Sequence, residues 1–320
     1  MAISNEAAIL ESGFAPGRKQ IGLWSMAFQR LRKNRLALAA GIILASVVVF
    51  AALAGLVDAV GRYSPSEQQY SEILTGPTSS HWFGTDNLGR DTWARVWAGT
   101  RISLKIGIGT QLVVLAIGIA VGAGAALGGK ATDGVLMRFT DLMYAFPDLL
   151  AIILMRAVLS QRDWPIIGTG DPQLPGMPGA LLQVVLAISF VSWVTLARLV
   201  RGQMLSLRDA EYVLAAQSMG ASTRRIVFSH MLPNTLGPVI VAVTFGVPTA
   251  IFAEAFLGFI GFGLPPPTAS LGTLVAEGQG YVRVNQWMII FPSAAIAVLM
   301  LCFTFLGDGL RDALDPRTRR

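Results

Sequence analysis

Residues 211–234 read EYVLAAQSMGASTRRIVFSHMLPN, the longest polar segment in the back half of the chain. Strongly apolar blocks flank them, and nothing within them approaches the ~20 apolar residues that a membrane span needs. Asp209 suits the cap of a first helix, and Glu211 suits its early turn, where acidic groups meet the positive end of the helix dipole. Gly220 falls where a helix ends in a left-handed residue, a conformation glycine adopts without steric cost. Ser222 can cap a second helix bearing Arg224 and Arg225, and Pro233 ends that helix before the next apolar block. The segment therefore reads as a helical hairpin, small at Ala215 and Ala216 and basic elsewhere. A chain that holds such a hairpin between two membrane spans presents it to a partner.

The wider chain supports the membrane half of that statement. Only 14% of its 320 residues are charged and 53% are hydrophobic, with a mean hydropathy of +0.58. Soluble domains carry about 25% charged residues. The fold class expected is an all-α polytopic membrane protein with six transmembrane helices, over residues 36–60, 102–127, 135–159, 180–200, 236–262 and 286–306. Ala52-Leu53-Ala54 resembles a signal-peptide cleavage site, but the apolar run exceeds 20 residues, so the first span is read as uncleaved. Before it, Ile21, Trp24, Phe28 and Leu31 share one side of a helix whose end is crowded with Arg30, Arg32, Lys33 and Arg35. That pattern suits an amphipathic helix on the membrane surface.

The net charge of +6 would suggest nucleic acid in a soluble protein. Here it follows from the basic residues of cytoplasmic segments. Seventeen of the 25 Lys and Arg lie in the N-terminal segment, around Lys130, around the hairpin or in the tail. The bias places both termini and the hairpin in the cytoplasm, although Arg90, Arg95, Arg101 and Lys105 cluster on the other side. His81 and His230 stand far apart without ligand-like spacing, which argues against a metal site. The lone Cys302 excludes an internal disulfide. Residues 124–130 mimic a phosphate-binding loop, but Ala131 stands where Ser or Thr is needed and the stretch closes a membrane span. Gly118 and Gly122 form a GxxxG pair that permits close helix contact.

Several polar groups have two readings. Glu254 within the fifth span either lines a pathway or pairs with a neighbouring helix. Asp141 and Asp148 in the third span share this ambiguity. Gly258, Gly261 and Gly263, ahead of Pro265–Pro267, either form a gate or allow close packing. Residues 81–91 (HWFGTDNLGRD) form a turn-rich outer loop that either meets a partner through Trp82, Asp86, Arg90 and Asp91 or is an internally ordered cap. The domain plan is then a cytoplasmic segment at 1–35, the first span at 36–60, and an extracytoplasmic loop at 61–100. A five-span core follows at 101–309, with the hairpin at 209–234, and a cytoplasmic tail at 310–320.

At the hairpin the sequence resembles the permease subunits of binding-protein-dependent ABC importers. Ala215, Ala216, Gly220, Leu232 and Pro233 match the cytoplasmic loop of that family, with Glu211 standing earlier than the acid that opens it in many members. Residues 31–35, 81–91, 137–150, 254–267 and 307–316 resemble the second permease of dipeptide and oligopeptide importers. The resemblance covers roughly residues 21–318. It implies a type I ABC importer permease architecture with cytoplasmic coupling helices between spans four and five. It further implies a non-catalytic chain without a cofactor of its own, ATP and magnesium being held by two partner ATPase subunits. The other implied partners are a second homologous permease subunit and a periplasmic or lipid-anchored substrate-binding protein, with membrane lipid around the spans and no nucleic acid. The implied place is the bacterial inner membrane. The implied cargo is peptides, with nickel chelates or another small solute as the alternative. On this resemblance Glu211, Arg224, Arg225 and Asn234 join the small residues as ATPase contacts. A secondary transporter would need broken helices and intramembrane charge in inverted repeats, and a membrane enzyme a clustered constellation of acids or histidines.

Overall fold

The computed structural model describes residues 23–56, 58–161 and 179–314. Ile21, the Pro/Gly-rich loop after the third span, and residues 315–320 of the tail lie outside them, as does the Trp24 side chain. Regular structure among the described residues is helical, apart from one isolated bridge between Thr85 and Asp91. Helix α1 (Leu23–Lys33) leads into α2 (Arg35–Leu53), the two separated by Asn34, whose side chain accepts from the Ala37 amide at 3.2 Å. Ala27 of α1 is buried and Phe28 stays exposed. The first span is shorter than expected, since the helix ends at Leu53.

Helix α3 (Thr92–Leu127) has 36 residues, about 54 Å at 1.5 Å per residue. It is longer than a ~30 Å hydrocarbon core. Its first turns therefore stand in the outer loop expected over 61–100, where Asp91 Oδ1 caps it by accepting from the Ala94 amide at 2.8 Å.

The expected third span is not one rod. Helices α4 (Gly129–Ala145) and α5 (Asp148–Ser160) meet at 92°. Pro147 is the cause: it offers no N–H, and it forces the residue before it out of the helical region. Phe146 accordingly sits at φ −87°, ψ 137°.

Helix α6 (Gly179–Arg208) runs past the expected end of the fourth span. Then come the two hairpin helices, α7 (Glu211–Ser218) and α8 (Thr223–Ile226). A π-helical turn (Val227–Met231) joins α8 to α9 (Leu232–Phe259). Helix α10 (Leu271–Gly280) lies on the same side as the loop before α3, started by a capping box between Ser270 and Thr273. Helix α11 (Trp287–Leu314) extends into the expected tail.

Five helical stretches among the described residues are long and apolar enough to cross a membrane, and counting the bent pair α4–α5 as one span makes six. The most extensive packing between two helices is that of α3 with α6. A Cβ placed on Gly118 would lie 2.9 Å from Leu196, and one on Gly122 would lie 2.5 Å from the Ala197 carbonyl. The GxxxG pair thus lets the two backbones approach. One core lies among α3, α5, α6 and α9, around Ile106, Ile152, Ile188 and Leu257. A second joins α2, α3, α9, α10 and α11 around Ile251, Leu271 and Leu299. The third, described next, carries the hairpin.

Candidate functional site

Helix α6 ends at Arg208, and Ala210 turns extended (φ −71°, ψ 139°) to start α7. Asp209 was expected to cap this helix, but Ala210 holds the N-cap position without a side-chain bond. The extended residue directly ahead of α7 is Ala210, and Asp209 stands a residue too early. At the other end Gly220 has φ +79°. The Ala221 amide donates to Ala216 O at 3.0 Å and the Gly220 amide to Gln217 O at 2.9 Å. This pattern satisfies helix-end carbonyls and depends on a left-handed residue. Ser222 Oγ then accepts from the Arg225 amide at 3.4 Å.

Pro233 does not end the second helix. The chain stays helical from Thr223 to Phe259. The π turn widens the helix just ahead of Pro233, where the ring would otherwise crowd the preceding turn. Asn234 serves this junction: its Nδ2 donates to His230 O at 2.6 Å and to Tyr212 Oη at 3.4 Å. It ties α7 to the foot of α9.

The hairpin has two unlike faces. Val213, Ala216, Ile226, Val227 and Met231 are buried in a core with Val114, Leu196, Val200 and Met204. These come from α3 and α6, so the hairpin is bolted to its own spans. The expected small docking face therefore divides. Ala216 is small because it packs against the chain's own spans, and Ala215 faces out. Glu211, Gly220, Arg224, Arg225, Pro233 and Asn234 are also exposed, and Leu232 is half-buried. Sequence reasoning missed the apolar part of the outer face: Tyr212, Leu214, Met219 and Phe228 are all exposed, Met219 at 81%. Apolar residues out of phase with Val213 and Ala216 were the available signal. Arg224, Arg225, Ser222, Phe228 and Ser229 line a shallow cleft of about 360 Å³.

The loop before α3, expected on the outer side, is an internal brace. Asp86 is buried and accepts from Arg90 Nε at 2.6 Å, from the Leu88 and Arg90 amides at 2.8 and 2.9 Å, and from Arg95 Nη1. Arg95 and Arg90 also reach Glu277 on α10, at 2.6 and 3.1 Å. Asp91 is buried against His81 at 2.7 Å, and His81 also meets Glu72 at 2.8 Å. Of the four residues expected to face a partner, Asp86, Arg90 and Asp91 spend their charge inside the chain. Trp82 remains half exposed, with the Arg62 guanidinium 4.3 Å from its ring centre.

Glu254 does not open onto a pathway in this chain. It is 1% exposed, and Ser103 Oγ donates to it at 2.9 Å. The same Ser103 Oγ accepts from the Leu271 amide at 3.2 Å, joining α3, α9 and the start of α10. The nearby glycines serve close packing. A Cβ on Gly258 would lie 2.8 Å from the Gly272 backbone, and one on Gly263 would lie 2.7 Å from Gly258 Cα. Gly261, at φ +87° and in open space, ends α9.

Asp141 pairs with Arg198 at 2.6 Å, and Asp133 with Arg201 at 2.5 and 2.6 Å. Arg156, inside the apolar run of α5, is a buried cation that the sequence reading passed over. Its lone charge amid DLLAIILMRAVLS was the signal. Among the described residues no three His, Cys, Asp or Glu side chains gather as metal ligands.

Comparison with known proteins places this architecture. Residues 116–320 match the family described as binding-protein-dependent transport system inner membrane component. Residues 22–77 match the N-terminal TM domain of oligopeptide transport permease C. The chain is 39% identical over 303 residues to the oligopeptide transport system permease protein OppC of Bacillus subtilis (strain 168), covering 95% of this chain and 92% of that one. It is 39% identical over 295 residues to the dipeptide transport system permease protein DppC of the same organism, covering 92% and 86%. With OppC of Escherichia coli (strain K12) it is 37% identical over 299 residues, 93% and 92% of the two chains. In fold it is similar to an inward-facing structure of the MetNI methionine ABC transporter, with TM-score 0.52 and 18% identity over 68% of this chain and 94% of that one. These matches establish that the chain, with its several membrane-spanning helices, belongs to the binding-protein-dependent transport system inner membrane component family, as a multi-pass permease.

Proposed function

We propose that this chain forms half of the translocation pathway of an ATP-driven importer of di- or oligopeptides, and that residues 211–234 couple it to ATP hydrolysis. A second homologous permease supplies the other half. Two ATPase subunits hold ATP and magnesium, so this chain carries no cofactor. A periplasmic or lipid-anchored binding protein delivers the peptide to the outer face. Both termini and the hairpin lie in the cytoplasm, in keeping with the Lys/Arg bias. Peptide cargo rests on the relatives, which are oligopeptide and dipeptide permeases.

The observation that carries the coupling role is the division of the hairpin. One side is bolted to α3 and α6 through Val213, Ala216 and Ile226. The other exposes Met219, Phe228 and Leu214 beside Arg224 and Arg225. An exposed apolar patch with a charged rim marks a protein contact. A push on that face moves the attached spans because the inner side is rigid.

Purified complex in proteoliposomes should import peptide with ATP and without an ion gradient. Gly220→Asp is the sharper test. No atom lies within 4 Å of a Cβ at Gly220, so the side chain projects outward, and the left-handed backbone costs about 1–2 kcal/mol. The variant should stay in the membrane yet lose uptake and substrate-stimulated ATP hydrolysis. Normal coupling in it would sink the docking assignment.

A further inference from the structure

Arg156 is 6% exposed, on the side of α5 that packs with Ile152, Leu159, Leu181 and Leu257. Its Nη1 donates to Gln183 Oε1 at 2.6 Å, and its Nη2 to the Gly263 carbonyl at a long 3.3 Å. Nε is buried without an acceptor. Among the described residues no carboxylate forms an ion pair with Arg156. Among the described residues, only uncharged acceptors face this positive charge in an apolar core. Such a charge costs several kcal/mol, and an apolar side chain of similar length would fill the space more stably.

The three groups that meet at Arg156 all sit at helix ends. Arg156 is in the last turns of α5, Gln183 in the first turns of α6, and Gly263 just beyond α9. Gly263 in turn packs on Gly258 and Thr273, next to the outer brace. Arg156 therefore ties three helix ends together while its Nε–H remains unused. A guanidinium takes a carboxylate through two parallel N–H groups, Nε and one Nη. Parting the helix ends would release the weak Gly263 bond and present that pair.

We infer that Arg156 binds the C-terminal carboxylate of the peptide on the outer side of the pathway, exchanging its uncharged acceptors for the substrate's negative end. This inference rests on the peptide-importer reading above. In the closed arrangement Arg156 is a latch between α5, α6 and α9. With the outer end open, the same side chain reads the cargo.

The test uses the whole complex in proteoliposomes, with saturating binding protein and two forms of one peptide, the free acid and the C-terminal amide. Uptake by each variant is divided by wild-type uptake of the same peptide, which cancels the binding protein's preference. Arg156→Met should lower maximal uptake of the acid about tenfold or more, as expected for losing a desolvated charge partner, and leave the amide within about twofold. Arg156→Lys, a point charge without the fork, should recover part of the acid uptake. Equal loss of both peptides, or no loss of either, overturns the inference. If Arg156→Met does not assemble, Arg156→Lys decides alone: a selective fall for the acid supports the assignment, and an equal fall or none overturns it. Wild-type complex that moves neither peptide overturns the peptide reading itself, an outcome visible before any variant is compared.

Discussion

At Gly122 the distance between two helices is set by one missing atom. A Cβ there would stand 2.5 Å from the Ala197 carbonyl oxygen and 2.8 Å from Val200 Cβ. Neither neighbour is the free end of a flexible side chain, so α3 and α6 would have to separate. Gly124, on another face of α3, would bring its Cβ only to 3.7 Å from the end of Leu136, an ordinary contact. Gly122→Ala should cost about 1–3 kcal/mol, the range for overpacking a tight core, and Gly124→Ala should cost nothing measurable. Thermal unfolding of the purified protein compares them directly, and equal melting temperatures would show that the helices have slack. The GxxxG spacing made this contact legible from sequence. Arg156 and Glu254 were less so. Each stands out as a charge in an apolar run, but the sequence does not say what surrounds it. Their partners lie far away along the chain, Ser103 being 151 residues from Glu254 and Gly263 being 107 from Arg156.

Elements divide along the same line between local and distant causes. The Gly220 turn and the Ser222 cap were readable because each depends on neighbours within a few residues. The bend at Pro147 was readable in principle from the proline, yet the apolar run around it suggested a single straight span. The orientation of α7 was not readable: Ala215 and Ala216 are adjacent, and only packing against α3 and α6 decides which turns inward. The outer brace is the extreme case, since Arg90 and Glu277 are 187 residues apart. Here the element-scale prediction follows. Asp86 gathers Arg90, Arg95 and two backbone amides into one buried site. Asp86→Ala would strand two guanidinium groups with only the partly exposed Glu277 between them. Breaking a buried ion pair from one side costs about 3–5 kcal/mol. The expected outcome is a lower melting temperature together with protease sensitivity of residues 70–91, while α7 and α8 stay protected. Cleavage appearing first in the hairpin instead would mean that the brace does not hold the outer loop.

Across the whole molecule, the bent pair spans both ends of α6. Near its hairpin end, α6 holds α4 through Arg201–Asp133 and Arg198–Asp141. Near its start, Gln183 holds α5 through Arg156. A displacement of the hairpin therefore has a direct route: along α6, across the ion pairs into α4, and around the Pro147 bend to the latch at Arg156. The Arg201–Asp133 pair is the best place to cut that route, because it is bidentate and lies away from the outward face of the hairpin. Both side chains are about a third exposed or less, at 30% and 27%, so solvent screening keeps the pair weak and cutting it should change coupling only a few-fold. Asp133→Arg places two cations face to face, and Arg201→Asp places two acids there. Each single reversal should reduce peptide-stimulated ATP hydrolysis by about that factor while leaving basal hydrolysis unchanged. The double reversal restores opposite charges across α4 and α6. An arginine near the α4 N-terminus still opposes the helix dipole, so recovery should be partial, with the double variant more active than either single one. Non-additivity of this sign is what a shared contact produces. If the losses simply add, the pair is not the link, and α4 must follow α6 through apolar packing alone.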